Sequence, residues 1–306
     1  MTEPRAAVDV GSNSVRLLVV DASGNRLVRE MRITRLAKGV DATGHLDDTA
    51  LARTLSAIKT FRDLWVAQGV TDRVRIAATS AVRDAKDRDR FFHGVRRVTG
   101  IEAQVITGEE EAAFAFAGAA HAVGVAGPTA VVDIGGGSTE LIIGDDEVRS
   151  SVSLQLGCVR LTERHLVDDP PTAAQVAQAR AFVRTQLDHG DQVFSDQQVR
   201  LADAATLVGV AGTVTTLGAL HLGLEAYEEE RIHASRIPAS ALESLTAQLV
   251  GATSGERGAL GPMQPGREDV IHGGALILAE VVDRYGFEEV VVSEADNLDG
   301  LVASLA

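Results

Sequence analysis

The N-terminal part of the chain alternates short apolar runs with polar turns. Residues 6–10, 15–21 and 26–35 are apolar runs bounded by Gly, Asn or Ser, a pattern that predicts three antiparallel strands. Residues 47–68 place apolar side chains at helical spacing, which predicts a long amphipathic helix. The same two patterns predict further strands at 74–79, 103–106, 130–134, 205–210 and 289–293, and helices at 156–166, 172–187, 238–249, 267–285 and 297–305.

The most informative stretch is AVVDIGGGSTELIIGD at 130–145, an apolar strand that enters a glycine turn and leaves as a second strand. Asp133 ends the first strand, and a carboxylate in that setting is costly unless it is paired, solvated or bound to a metal. The glycines expose N–H groups that can cradle a phosphate, and the acid can hold the accompanying magnesium ion. The turn consists of Gly135, Gly136, Gly137 and Ser138.

The same pattern occurs earlier in the chain. Without gaps, VDVGSNS lies over VDIGGGS, so that Asp9 lies over Asp133 at an offset of 124 residues. The first copy offers Ser12, Asn13 and Ser14 as phosphate-binding positions. We therefore expect two like-folded halves that each present a phosphate loop to a shared cleft. The competing interpretation is two ordinary glycine-containing hairpins.

Length and composition are those of a two-domain globular protein. A chain of 306 residues with 45% apolar content can bury two cores, and GVAGP at 124–128 is the best boundary. This predicts domains at 1–124 and 125–306, with the terminal helix at 297–306 able to pack back on the first. The absence of a signal-peptide or membrane-spanning pattern predicts the cytoplasm.

Charge and cysteine content exclude several kinds of site. The net charge of −14 argues against broad binding to nucleic acid or to anionic membranes, but not against a phosphate substrate held by backbone N–H groups. Cys158 is the only cysteine, so an internal disulfide framework and thiolate-rich metal sites are excluded. We interpret it as a packing residue.

Two segments of the first half carry candidate chemistry. Arg83 follows the strand at 74–79, where open α/β sheets bind ligands, and is either a phosphate ligand or a surface ion-pair residue. In TGEEEA at 107–112, Thr107 and Glu110 fit a helix capping box, and acids in a first turn suit the helix dipole. Three acids exceed what a cap requires, so Glu111 is our candidate base for activating water.

Other features leave more than one interpretation. The basic segment from Arg26 to Lys38 is either a solvated strand face or an edge that guides a polyanion. The AGT turn, with Gly212 and Thr213, is a weak candidate for a third phosphate loop. His272 is interpreted as a helix-packing residue.

Together these residues resemble the exopolyphosphatase/guanosine pentaphosphatase (Ppx/GppA) family of the actin, sugar-kinase and chaperone ATPase superfamily. The resemblance covers nearly the whole chain. The segments that carry it are AAVDVGSNSVRLLV at 6–19, TSAVRDA at 79–85, TGEEEA at 107–112, VVDIGGGSTEL at 131–141, GVAGTVTTL at 209–217, GGALIL at 273–278 and VVVSEADNLDGLV at 290–302.

The resemblance implies two ribonuclease-H-like α/β domains around a central cleft, and removal of a terminal phosphate by water with magnesium, or manganese in its place. It assigns Glu111 as the catalytic glutamate, Arg83 to the substrate, and Ser138 and Glu140 to the phosphate loop. It associates Asp133 with the metal and Asp9 with the acid of the first loop. We expect Asp9, Asp133 and Glu140 to position the ion directly or through water. A homodimer is also implied. The chain matches the short two-domain members, so features of the longer members do not carry over.

The expected reaction is hydrolysis of terminal phosphoanhydride bonds of inorganic polyphosphate. The nearest alternative is a guanosine pentaphosphate 5′-phosphatase, acting on guanosine penta- or tetraphosphate with the same residues. A small-molecule kinase and a non-catalytic phosphate or alarmone sensor are more distant alternatives. Glu111 argues against the kinase, because a kinase needs an acceptor hydroxyl rather than an activated water.

Overall fold

A computed structural model describes residues 3–125 and 127–305. The chain divides into two compact units, Met1–Phe114 with Asn297–Ala306, and Ala115–Asp296. The division falls inside a helix that spans Gly108–Ala122, ahead of the predicted boundary at 124–128. The C-terminal segment joins the first unit, where Leu298, Leu301 and Val302 are buried in its core.

The first unit is built on a five-stranded mixed sheet of order β3-β2-β1-β4-β5. β1 pairs antiparallel with β2, β2 pairs antiparallel with β3, and β4 runs parallel to both β1 and β5. The strands are β1 Arg5–Val10, β2 Ser14–Val20, β3 Arg26–Ile33, β4 Val74–Ala78 and β5 Gln104–Val105.

Helices cover the first sheet. They are α1 Val40–Thr43, α2 Asp48–Ala67, α3 Ser80–Asp84, α4 Asp89–Thr99 and α5 Gly108–Ala122, whose later residues belong to the second unit. In α2 the Asp47 carboxylate caps the first turn by accepting from the N–H of Ala50 at 2.8 Å. The buried stripe of this helix includes Ile58, Phe61 and Trp65, as the helical spacing predicted. The segment at 39–44, which begins and ends with glycine, contains the short helix α1.

The second unit is built on a six-stranded mixed sheet of order β10-β11-β9-β6-β7-β8. Its strands are β6 Thr129–Ile134, β7 Thr139–Gly144, β8 Val148–Leu154, β9 Thr206–Val210, β10 Arg236–Pro238 and β11 Glu289–Val292. β6 pairs antiparallel with β7 and parallel with β9, as β1 does with β2 and β4. The repeat in the sequence therefore corresponds to a repeated strand arrangement.

The remaining helices are α6 Cys158–His165, α7 Ala173–Asp196, α8 Ala211–His221, α9 Glu229–Ile232, α10 Ala239–Gly251, α11 Ser254–Gly258, α12 Ile271–Tyr285 and α13 Asn297–Ala303. Thr172 caps α7 in a full capping box with Gln175. The sequence missed β10, α9 and α11, because three to five residues are too few to show a period. Across residues 3–125 and 127–305, none of the helices combines the length and the apolar character needed to cross a bilayer.

Candidate functional site

The first glycine loop, residues 11–14, joins β1 to β2. The N–H of Gly11 donates to the carbonyl of Ser14 at 2.9 Å, which closes the turn. The strand register places Asp9 directly opposite Arg16. Arg16 donates to Oδ2 of Asp9 from Nε at 3.1 Å and from Nη2 at 2.6 Å, and Nη2 also donates to Oδ1 of Asn297 at 2.5 Å. The buried Asp9 carboxylate is thus held by a cation that α13 holds in turn.

The second glycine loop, residues 135–138, joins β6 to β7 in the same way. The N–H of Gly135 donates to the carbonyl of Ser138 at 3.0 Å. Here the register places Asp133 opposite a second acid, Glu140, and both side chains are buried. Ser153 on β8 donates to Oε1 of Glu140 at 2.7 Å. The equivalent positions of the two loops therefore carry opposite charges.

Both loops have carbonyl groups that accept hydrogen bonds from the following chain. Ser12 O accepts from the N–H of Ala37 at 2.8 Å, and Gly136 O accepts from the N–H of Val159 at 2.9 Å. In a trans peptide the N–H points away from the carbonyl, so the N–H groups of Asn13 and Gly137 face the opposite side. Within residues 127–305 no acceptor is recorded for the N–H groups of Gly136 and Gly137. Each loop can therefore offer N–H groups to an anion.

The start of α6 packs closely against the backbone of the second loop. A Cβ at Gly157, the residue before α6, would collide with the backbone of Gly136. Glycine at this position lets the start of α6 approach the loop carbonyls. The resulting contacts hold the loop without using the N–H groups that would face a phosphate.

Glu111 lies in the first turn of α5, and the structure separates it from the neighbouring acids. Glu110 forms the predicted capping box, in which its N–H donates to Oγ1 of Thr107 at 3.1 Å and its Oε2 accepts from the N–H of Thr107 at 2.9 Å. Glu109 and Glu110 are exposed, whereas Glu111 is only 6% exposed. Glu110 serves as the cap and Glu109 is exposed, so Glu111 is the one acid of the three that is buried.

Arg83 and Glu111 lie together, although 28 residues separate them in the sequence. Arg83 Nη1 is 3.5 Å from Oε2 of Glu111 and donates to the carbonyl of Ile106 at 3.1 Å. Arg83 is therefore anchored beside the candidate base. The pair combines a planar cation suited to phosphate oxygens with a carboxylate suited to accept a proton.

Ser80 connects the first glycine loop to the helix that carries Arg83. The hydroxyl groups of Ser12 and Ser80 are 2.9 Å apart, and both side chains are buried. Ser80 opens α3, so the contact ties the loop to Arg83. Sequence reasoning missed Ser80, although it stands in the TSAVRDA segment that pointed to Arg83.

The third glycine loop, residues 211–213, begins α8 and carries backbone strain. Ala211 has φ of 65°, a left-handed conformation that costs a non-glycine residue free energy and that concentrates at functional sites. A Cβ at Gly212 would overlap the guanidinium group of Arg267. Arg267 Nη1 also lies 3.4 Å from Oγ1 of Thr216. Arg267 thus places a cation beside the predicted residue Gly212. Sequence reasoning missed Arg267, because it is distant in the chain.

The comparisons with known proteins agree with this arrangement. A model of the Ppx/GppA phosphatase family matches residues 18–306. The chain belongs to this family. The resemblance predicted from the motifs is confirmed, and so is the predicted fold class of two ribonuclease-H-like α/β domains.

Three relatives illustrate the similarity to the Ppx/GppA family. Exopolyphosphatase 2 of Mycobacterium tuberculosis is 45% identical over 98% of this chain and 98% of its own length. The crystal structure of the Aquifex aeolicus family member has a TM-score of 0.81 and 30% identity, with coverage of 99% of this chain and 97% of that one. The guanosine-5′-triphosphate,3′-diphosphate pyrophosphatase of Vibrio atlanticus is 32% identical over 79% of this chain and 51% of its own length.

The predicted site residues of this Ppx/GppA protein fall into two sets. The first unit holds Asp9, Ser12, Asn13, Ser14, Arg83 and Glu111, and the second holds Asp133, Gly135, Gly136, Gly137, Ser138, Glu140, Gly212 and Thr213. The described residues contain no group of three or more His, Cys, Asp or Glu side chains placed to hold a metal ion. Asp133 and Glu140 are a buried pair of carboxylates, which fits an ion such as magnesium that keeps several waters and takes one or two carboxylates.

Cys158 and His272 are both buried in the second unit. Burial raises the pKa of the Cys158 thiol, and a hydrogen bond with Thr213 opposes this only in part. A thiol in this state is a packing residue rather than a nucleophile. Burial, followed by the nearby Arg257 cation, lowers the pKa of His272 to about 4. His272 is therefore a neutral packing residue at neutral pH.

Proposed function

We propose that this protein is an exopolyphosphatase that hydrolyses the terminal phosphoanhydride bond of inorganic polyphosphate and releases orthophosphate. The observation that carries the proposal is the buried Glu111 beside Arg83, at the start of a helix whose capping is done by Glu110. The name and the 45% identity of the mycobacterial relative support polyphosphate as the substrate.

The two glycine loops would hold the phosphate oxygens through N–H groups. Such cradles bind anions without a large net positive charge, which agrees with a chain of net charge −14. Gly136 and Gly137 offer their N–H groups in the second unit, and Ser12, Asn13 and Ser14 would serve the same purpose in the first. Phosphoryl transfer depends mainly on such positioning and on charge neutralisation.

Glu111 would act as the general base. It would accept a proton from the water that attacks the terminal phosphorus while the bridging P–O bond breaks, so that orthophosphate and a chain shorter by one phosphate are formed. Arg83, fixed by its hydrogen bond to Ile106 O, would orient the phosphate and neutralise part of its charge.

Magnesium, or manganese in its place, would be held by Asp133 and Glu140. A bound magnesium ion would neutralise phosphate charge and orient the terminal group. Asp9 would contribute through a water molecule, because its Oδ2 already accepts two N–H groups from Arg16. The homodimer and the cytoplasmic location stay predictions, which sedimentation analysis and cell fractionation would test.

The alternative is a guanosine pentaphosphate 5′-phosphatase that uses the same residues. The similarity to the Vibrio atlanticus pyrophosphatase supports it, although this chain spans only about half of that protein. Both activities would use Glu111 as the base. The choice between them is therefore a choice of substrate.

The test is orthophosphate release from long polyphosphate, short polyphosphate and guanosine pentaphosphate with magnesium. We expect release mainly from polyphosphate, and we expect Glu111→Gln to lower the rate by about a hundredfold or more. Glu110→Gln is the matched control, because it removes a charge from the same turn while Gln still forms a capping box. Equal rates for Glu111→Gln and Glu110→Gln would exclude Glu111 as the base, and release mainly from the nucleotide would favour the alternative.

A further inference from the structure

The turn that follows β3, residues 34–38, is attached to the first glycine loop by its backbone. The N–H groups of Thr34 and Arg35 both donate to the carbonyl of Asn13 at 2.9 Å, and the N–H of Ala37 donates to the carbonyl of Ser12 at 2.8 Å. The backbone of this turn is therefore held beside the loop.

The turn is also strained. Arg35 has φ of 54°, in the left-handed region that residues with a Cβ seldom adopt, and the N–H of Lys38 closes the turn on Arg35 O at 3.1 Å. Strain of this kind costs free energy and is found at ligand clamps. An arginine in this conformation, beside a loop proposed to bind phosphate, points to a function for its position.

Several positively charged side chains lie on or against this turn, although the net charge of the protein is −14. Arg53 on α2 donates to the carbonyl of Thr34 from Nε at 3.2 Å and from Nη2 at 2.9 Å. Lys38 is exposed, and within the described residues neither Lys38 nor Arg53 forms an ion pair with a carboxylate. With Arg35, three cations lie on or against one turn, and Asp41 in α1 is the acid nearest to it in the sequence.

We propose that Arg35, Lys38 and Arg53 form an anion subsite for the phosphates that follow the terminal ones in a polyphosphate chain. This inference rests on the proposed function. A linear polyanion long enough to occupy the first glycine loop and the three cations at once gains affinity from the second contact. A short polyphosphate occupies the loop alone. The subsite therefore gives the enzyme a preference for long chains.

The test uses the double variant Lys38→Gln/Arg53→Gln. Arg35 is not substituted, because its backbone conformation is strained. We expect KM for long polyphosphate to rise about tenfold, with kcat and the KM for tripolyphosphate within about twofold of the wild type. The dependence of the long-chain KM on salt should also become shallower, because fewer phosphate contacts release counterions. Circular dichroism would verify folding.

The matched control is Lys59→Gln/Arg62→Gln, which removes two exposed cations from α2. An equal rise in KM for the control would overturn the subsite, since net charge alone would then explain the effect. An equal rise for tripolyphosphate would also overturn it, because the cations would then act on the terminal phosphates.

Failure of the proposed function gives a different result. Wild-type protein would then release no orthophosphate from polyphosphate of any length. Binding of labelled long polyphosphate to Glu111→Gln, with and without the Lys38→Gln/Arg53→Gln changes, would still measure the subsite. Weaker binding in the triple variant supports the subsite, and unchanged binding overturns it.

Discussion

The two glycine loops have one backbone design and opposite local charge. Each follows a strand that ends in Asp-x-Gly, and each is closed by the same hydrogen bond, from Gly11 to Ser14 at 2.9 Å and from Gly135 to Ser138 at 3.0 Å. In the first unit the residue opposite the aspartate is Arg16, and in the second it is Glu140. The change from Arg16 to Glu140 at equivalent positions thus replaces an ion pair by a pair of carboxylates.

This difference supports a division of the proposed chemistry between the units. A carboxylate that already accepts two N–H groups from a guanidinium is a weaker metal ligand, because the cation competes for the same oxygen. Two buried carboxylates on adjacent strands offer hard oxygen ligands to one cation. We therefore propose that the second unit would hold the metal, and that the first would supply the base and its arginine. On this proposal the two copies of the repeated strand arrangement would have different roles.

The largest expected effect comes from the second loop. Glu140→Gln should lower orthophosphate release by about a hundredfold or more and raise the magnesium concentration needed for the half-maximal rate, because it removes a charged oxygen ligand. Asp9→Asn should raise that magnesium requirement by much less, because Asp9 would contact the ion only through a water molecule. Magnesium titrations of the two variants measure the difference. Equal shifts for both would contradict the division of roles.

A smaller effect is expected from the ion pair of the first loop. Arg16→Met should lower the free energy of unfolding of the first unit by about 2 kcal/mol, less than for a fully buried pair, because the Arg16 side chain is 18% exposed. Trp65 is the only tryptophan and is buried in α2, so urea unfolding followed by its fluorescence reports on this unit. The double variant Asp9→Asn/Arg16→Met should recover part of the loss. An unchanged midpoint for Arg16→Met would show that the pair does not stabilise the loop.

Local features of the site were predictable from the sequence. The repeat at an offset of 124 residues indicated both loops, because a turn needs specific residue types at neighbouring positions. Glu111 was distinguished from Glu110 by the rules of helix capping, and the hydrogen bonds of Thr107 agree with that assignment. These inferences involve residues only a few positions apart.

Contacts between distant segments were not predictable in this way. Arg267 reaches Gly212 across 55 residues, and no periodicity links the two positions. Arg16 is different, since the turn at Gly11 fixes the register and could have placed it opposite Asp9. The division between the units also lies ahead of the predicted boundary at 124–128. Residues 108–122 form one helix that continues through this division, and no change of composition marks the division.

The smallest effects should come from matched changes in the two turns. A Cβ at Gly11 would lie 3.1 Å from Ser14 O, and one at Gly135 would lie 3.2 Å from Ser138 O. Gly11→Ala and Gly135→Ala should therefore each lower the free energy of unfolding by about 1 kcal/mol, because the facing carbonyl must move by a few tenths of an ångström. Gly251→Ala is the control, since no atom lies within 4 Å of its added Cβ.

Protection of the flanking strands from hydrogen exchange would compare the two turns within their own units. If the backbones are equivalent, the strands β1 and β2 in one variant and β6 and β7 in the other should lose protection by similar factors, while Gly251→Ala changes neither. A much larger loss for Gly135→Ala would show that the second loop tolerates less movement. That result would fit a loop held between its own turn and the start of α6, where Gly157 already packs against Gly136. The equivalence of the two loops would then be limited to strand register and hydrogen bonding.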